Sequence, residues 1–137
     1  MPSPHDAFPT PAASDRCPCL SGEVFGVCCG PFLAHEAAAP TAVQLMRSRY
    51  SAFVVGDADY LLQTWHPSTR PARLDLDPAI RWYRLDVIRR ARGGPLDAEG
   101  IVEFRAFSRR GAERHEQHEV SRFSREHGRW SYVAAAE

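Results

Sequence analysis

The chain has 137 residues, of which 44% are apolar and 25% charged, with seventeen basic side chains balanced by seventeen acidic ones. A chain of this length can bury roughly two-thirds of its unfolded surface, enough for one domain with a small appendage. Its zero net charge supplies no field toward nucleic acid or anionic membranes. All the basic residues are arginine, which reads as a compositional bias of the source rather than as a device for planar anion recognition.

Residues 1–16, "MPSPHDAFPTPAASDR", lack the basic start and apolar run of a secretory signal. Their four prolines suggest a disordered lead-in. Nothing in the chain approaches the ~20 apolar residues of a membrane span. The expectation is a cytoplasmic protein without membrane contact, in a reducing compartment that disfavours structural disulfides.

The next segment, residues 17–36, holds every cysteine of the chain: Cys17, Cys19, Cys28 and Cys29. Adjacent α-carbons lie ~3.8 Å apart, below the ~4.4 Å at which disulfide geometry begins, so Cys28 and Cys29 make a poor pair. Cross-pairings such as Cys17–Cys28 with Cys19–Cys29 stay open, as do free thiols, but no C-x-x-C redox motif is present. Zinc fits the spacing better. It takes four sulfurs at about 2.3 Å in a tetrahedron, and a curl at Pro18 with a Ser21-Gly22 turn would point both pairs inward, with Phe25 covering one side. A segment so short cannot hold itself together by burial, so the metal would supply its fold. Four thiolates leave no open coordination position, which makes such a centre structural.

"CPCLSGEVFGVCCG" resembles the SEC-C motif, the zinc-binding segment also found at the tail of the SecA translocation ATPase. Cys17, Cys19, Ser21, Gly22, Phe25, Cys28 and Cys29 match its pattern. Leu20 stands where the motif has glycine, and the lysines usual between the cysteine pairs are replaced by Glu23, Val24, Gly26 and Val27. The SecA segment docks a chaperone and contacts the ribosome. Without the basic residues, neither partner carries over.

After the connection "PFLAHEAAAP", residues 37–137 read as one α+β domain. Thr41 with Gln44 forms a capping box, and Val43, Met46, Tyr50, Phe53 and Val54 follow helical spacing as far as Gly56, a C′ stop. Asp57 caps a shorter helix, "ADYLLQTW", which Pro67 ends. "HPSTRPARLDLDP" is loop. The period then changes to two in "RWYRLDVIRR", "GIVEFRAFSR", "RHEQHEVSRF" and "RWSYV", which predict four antiparallel strands in sequence order. Val102, Phe104 and Ala106 would supply one face of the sheet, with Ile101, Glu103, Arg105 and Phe107 on the other. Helices on one face of such a sheet make an α+β layer.

"APTAVQLMRSRYSAFVVGDADYLLQTWHPSTRP" and "EVSRFSREHGRWSYV" are similar to the YchJ-like bacterial family, from Cys17 nearly continuously to Val133. That resemblance implies a nuclear transport factor 2-like cone, a curved sheet wrapped against helices. It leaves the biochemical role open.

Cones of this kind often enclose a cavity. The densest polar group near the two helices is Arg47, Arg49 and Tyr50 with Trp65, His66, Ser68 and Arg70, which could hold a small anion. Against this, Tyr50 and Trp65 read as core, His66 as a helix cap and the arginines as partners of Asp57, Asp59 or Glu119. In "HEQHE", His115 and His118 are three apart on a strand and face opposite ways, so they cannot share a metal. No G-x-S-x-G turn or activated nucleophile is present, and no catalytic residue is assigned.

Two functions follow. The first is a zinc-binding interaction or adaptor protein that captures an unidentified protein partner, with zinc loss expected to abolish capture while the cone stays folded. The alternative is a small-molecule binder or enzyme using the cone cavity. Convergent charges in the pocket would favour this alternative, a filled apolar interior the first. RNA or ribosome contact is the weakest reading, since "RRARGG" and "SRRGAER" look like solvated turns.

Overall fold

In the computed structural model, which describes residues 8–136, a 3₁₀ turn (Phe25–Val27) and three α-helices precede a four-stranded sheet. The helices are α1 (Gly30–Leu33), α2 (Ala42–Val55) and α3 (Ala58–Gln63), and the strands are β1 (Ile80–Arg92), β2 (Glu99–Arg110), β3 (Glu113–Glu126) and β4 (Arg129–Ala135). The Thr41 hydroxyl accepts from Gln44 N at 3.2 Å, and the Asp57 carboxylate accepts from Tyr60 N at 3.0 Å. Both predicted N-caps therefore satisfy backbone donors that a helix start would leave orphaned. Gly56 closes α2 at φ 76°.

The strands form an antiparallel meander in sequence order. Val102, Ala106 and Ser108 of β2 are buried beneath the helices, together with Leu85, Ser121 and Phe123. The opposite face carries a charged ladder: the Arg89 Nε donates to Glu103 at 2.8 Å, and His118 Nε2 meets the other Glu103 oxygen at 2.6 Å. Register shifts interrupt β1 between Trp82 and Arg84 and between Val87 and Arg89, and the β3–β4 pairing at Arg122 and Phe123. Each extra residue sharpens the local twist, and the sheet curves around α2.

Helix α2 is the centre of the molecule. Between Leu45 and Ala52 every residue except Arg47 is buried. One face meets the sheet; the other carries small residues and is covered by α3 and the cysteine segment. Here Ser48 donates to Leu45 O at 2.8 Å and shares a 2.7 Å bond with the Tyr60 hydroxyl. Beyond α3, Ala52, Tyr60 and Leu61 build a second cluster with Phe32, Leu33, Phe53, Leu74 and Leu76.

Residues 1–7 of the expected disordered lead-in lie outside the described residues. The rest of that lead-in is engaged: Phe25 N donates to Asp15 O at 2.8 Å, Gly26 N to Ala13 O at 2.9 Å, and Arg16 bridges Val24. The cysteine module thus begins before Cys17, on backbone pairings that leave no trace in apolar pattern.

The start of α2 is pinned to the sheet where Ala42 N donates to Gly93 O at 2.9 Å and Trp130 Nε1 to Pro40 O at 3.1 Å. This crossing requires glycine at residue 100, because a Cβ there would sit 2.6 Å from Gly93 Cα and 3.0 Å from Ala42 Cβ. Gly100→Ala is expected to destabilise the fold by about 1–3 kcal/mol, as overpacking does. A denaturant midpoint equal to wild type would contradict this close approach.

Candidate functional site

The cysteines converge because the short segment folds back on itself. Cys17 N donates to Glu23 O at 2.9 Å and Leu20 N to Cys17 O at 3.0 Å, curling the chain after Pro18. Gly22 at φ 96° and the Ser21 hydroxyl, which accepts from Glu23 N at 3.2 Å, complete the expected turn. The 3₁₀ turn then delivers Cys28, and Cys29 caps α1. All four Sγ atoms lie within 4.8 Å of one another, with Cys19–Cys28 at 3.6 Å and Cys28–Cys29 at 4.0 Å. Four thiolates bound tetrahedrally at ~2.3 Å from one ion would be ~3.8 Å apart, so the donors fit a metal. The cysteines are free thiols, with no bridge among the described residues.

Their electrostatics point the same way. Hydrogen bonds from Cys17 and Cys29 hold the Cys19 thiol far below its ordinary range. The Cys28 thiol is pushed up to about 11, mainly by burial. Contact with Cys17 and Cys19 pushes Cys29 up as well. Thiols this close cannot all ionise unless a cation offsets their repulsion.

The centre is joined to α2. Arg47 Nη1 donates to Cys19 O at 2.8 Å, and Cys17 Sγ lies 3.7 Å from the Ser51 hydroxyl. Cys17, Cys19 and Cys29 belong to the same buried cluster as Leu45, Met46 and Tyr50, with Phe25 packed against it as expected.

On the other side of α2, Met46, Arg49, Tyr50 and Phe53 face the curved sheet across a cavity of about 300 Å³. Trp65, Tyr132, Trp82, Phe104 and Phe123 form much of its aromatic wall. Trp65 stands edge-on to Tyr132, with ring centroids 5.3 Å apart. The Arg49 guanidinium carbon lies 5.1 Å from the Trp65 ring centre and 4.8 Å from that of Tyr132. Arg49 Nη1 donates to Leu61 O and to the Thr64 hydroxyl, each at 2.7 Å. Burial lowers its pKa to about 10, so it stays charged at neutral pH. Among the described residues it has no ion pair.

A second charge, Glu119, lines the same cavity. Its Oε2 accepts from the Ser121 hydroxyl and, at 2.8 Å, from the Tyr132 hydroxyl. Gln117 Nε2 donates to Oε1 at 3.3 Å. Among the described residues Trp65 Nε1 is buried without a hydrogen-bond partner, and the Tyr50 hydroxyl is buried facing the Arg84 backbone.

Of the expected pocket, Arg49, Tyr50 and Trp65 line the cavity; Arg47, His66 and Arg70 lie outside it. Arg47 is rotated toward Cys19. His66 bonds Ser68 and Glu126, each at 2.7 Å, and Arg70 donates to Trp65 O through Nε and Nη2. His66 thus fastens the end of α3 to β3, while Arg70 braces its own loop; β4 is joined by His66 N to Tyr132 O and Tyr132 N to Thr64 O, both 2.8 Å. Arg49 pairs with none of the carboxylates expected for it, because aromatic faces take their place. Glu119, Ser121 and Tyr132 also line the cavity, beyond the pocket expected from the sequence. The available signal was the inward period of two through Gln117, Glu119, Ser121 and Phe123. His118 and Glu119 face opposite sides of the sheet, and the cysteines are the sole metal-capable cluster among the described residues.

Comparison with known proteins places both parts. Residues 41–135 match the family described as YchJ, middle NTF2-like domain, and residues 14–31 match the SEC-C motif. A UPF0225 protein of Streptomyces coelicolor is 55% identical over 126 residues, covering 92% of this chain and 95% of its own length. A UPF0225 protein of Chromobacterium violaceum is 52% identical, covering 89% and 93%. The solution structure of a SEC-C motif protein from Rhodopseudomonas palustris superimposes with a TM-score of 0.74 at 33% identity, over 88% of this chain and 98% of the other. The fold is therefore NTF2-like, with a SEC-C segment packed on its central helix.

Leu20, where the motif has glycine, adopts φ 63° with 52% of its surface exposed. Left-handed backbone strains a residue with a Cβ by about 1 kcal/mol. Leu20→Gly is therefore expected to raise stability by up to about 1 kcal/mol, since little burial is lost. A lowered melting temperature for this variant would show that the leucine packs in a way that outweighs its strain.

Proposed function

The chain belongs to the YchJ-like UPF0225 family, and from that premise we propose that it is a zinc-braced small-molecule-binding protein whose ligand site is the cone cavity. The observation that carries this reading is the cavity itself. About 300 Å³ of space is lined by aromatic rings, with Arg49 on the helix side and Glu119 on the sheet side, where a filled apolar interior would have argued for a docking scaffold. Small-molecule sites combine mostly apolar walls with a few placed polar groups in this way.

Cys17, Cys19, Cys28 and Cys29 would hold the zinc, and the closed thiolate shell would give it a structural task, fixing the segment that covers α2. Four reduced cysteines committed to metal also support a cytoplasmic setting. Among the described residues no helix is long and apolar enough to cross a membrane.

A second reading is favoured by Leu20 and Val27, which are 52% and 68% exposed beside the cysteines. In this reading the zinc module is a docking face for a protein partner. The expectation that zinc loss would spare the cone does not suit the shared cluster of Cys17, Cys19, Cys29, Leu45 and Met46.

Native mass spectrometry of the freshly purified protein tests the metal assignment. One zinc per chain, lost on chelation, is the expected result. A metal-free chain lighter by four protons would mean disulfides and overturn it. For the binding role, Cys28→Ser is expected to lower the melting temperature of the whole domain, because the segment and the cone share one core. Unfolding of the cone at its wild-type temperature, with the zinc gone, would favour the docking reading.

A further inference from the structure

The cavity has an unequal supply of donors and acceptors. Glu119 is satisfied from within: Ser121 and Tyr132 donate to one carboxylate oxygen, Gln117 to the other. Arg49 is not. Only its Nη1 is hydrogen-bonded, to Leu61 O and Thr64 Oγ1, while the residue as a whole is 6% exposed and its guanidinium sits in the corner formed by the edge-on Trp65 and Tyr132 rings. Glu119 shares the cavity, but among the described residues the other N–H groups of Arg49 have no direct acceptor, and hydrogen bonds left unmade by a buried charged donor are costly. The rest of the wall, including Phe53, Trp82 and Phe104, offers flat apolar surface.

We propose that the cavity takes a small planar monocarboxylate, with its carboxylate on the free N–H edge of Arg49 and its apolar body among the aromatic rings. Arginine's planar fork suits a carboxylate. The Glu119 carboxylate on the facing sheet disfavours a second carboxylate on the ligand. A volume of about 300 Å³, at the low end for ligand sites, admits a small ring system rather than a nucleotide. This inference rests on the cavity being the ligand site.

The test is calorimetric titration of the zinc-loaded full chain with cinnamate, cinnamamide and cinnamylammonium, beside fluorescence titration with neutral 1-aminoanthracene. Cinnamate is expected to bind about ten-fold or more tightly than the amide, as a charge-assisted pair would require, with the ammonium weakest. Binding of cinnamate should also move the Arg49 guanidinium resonances of the wild-type protein, a readout that needs no variant. Arg49→Lys, which keeps the charge and loses the fork, should weaken cinnamate several-fold more than it weakens 1-aminoanthracene. If the amide or the ammonium matches cinnamate while 1-aminoanthracene binds, the carboxylate assignment fails and the cavity remains a ligand site. If none of the four probes binds, the ligand-binding function itself fails.

Discussion

Helix α2 has no solvent side through its middle, and the rest of the structure depends on what covers it. A helix buried on all faces needs two partners, and the curved sheet supplies only one. The other is α3 with a cysteine segment that could not fold by burial alone. Small side chains at Ser48, Ser51 and Ala52 let these elements approach, and Arg47 and Ser51 connect the helix to the cysteine loop directly. The cysteine cluster therefore acts on the cavity at one remove: it packs against the helix from behind, and the same helix presents Met46, Arg49, Tyr50 and Phe53 in front.

The cavity owes its openness to the sheet and its polarity to β3 and α2. Bulges in β1 add to the curvature of the sheet around the helix, and Trp65 and Tyr132 meet edge-on in the cavity lining. Tyr132 performs two tasks. Its ring faces the Arg49 cation, and its hydroxyl donates to Glu119. Arg49 and Glu119 can thus share one small space without forming an ion pair, which leaves part of the arginine unused.

Much of this was legible in the sequence because the signals were periodic or chemical. Thr41 with Gln44, Gly56 and Asp57 marked the helix limits, and alternation in β2 separated Val102 and Ala106 from Glu103 and Arg105. The cysteine spacing pointed to a metal centre because adjacent cysteines are poorly placed to pair. The details of the pocket were less accessible. Arg47 and Arg49 are two residues apart on a helix, so roughly 200° of rotation separates them; which one enters the cavity depends on packing that no local pattern records. Glu119 was hidden in a polar run, "HEQHE", whose inward residues show themselves only once the strand register is fixed. The pairing of residues 12–16 with the cysteine loop is made by backbone groups, which any side chains could accompany.

The central claim is that a metal-held segment keeps α2 in place. Amide hydrogen exchange, followed through α2 in the zinc-loaded and chelated protein, tests it most directly. Protection from Leu45 to Ala52 is expected to fall when the metal is removed, with a smaller loss in the β2–β3 pairing. Unchanged protection of α2 after complete metal removal would contradict the claim, and would mean that the helix is held by the sheet and α3 alone.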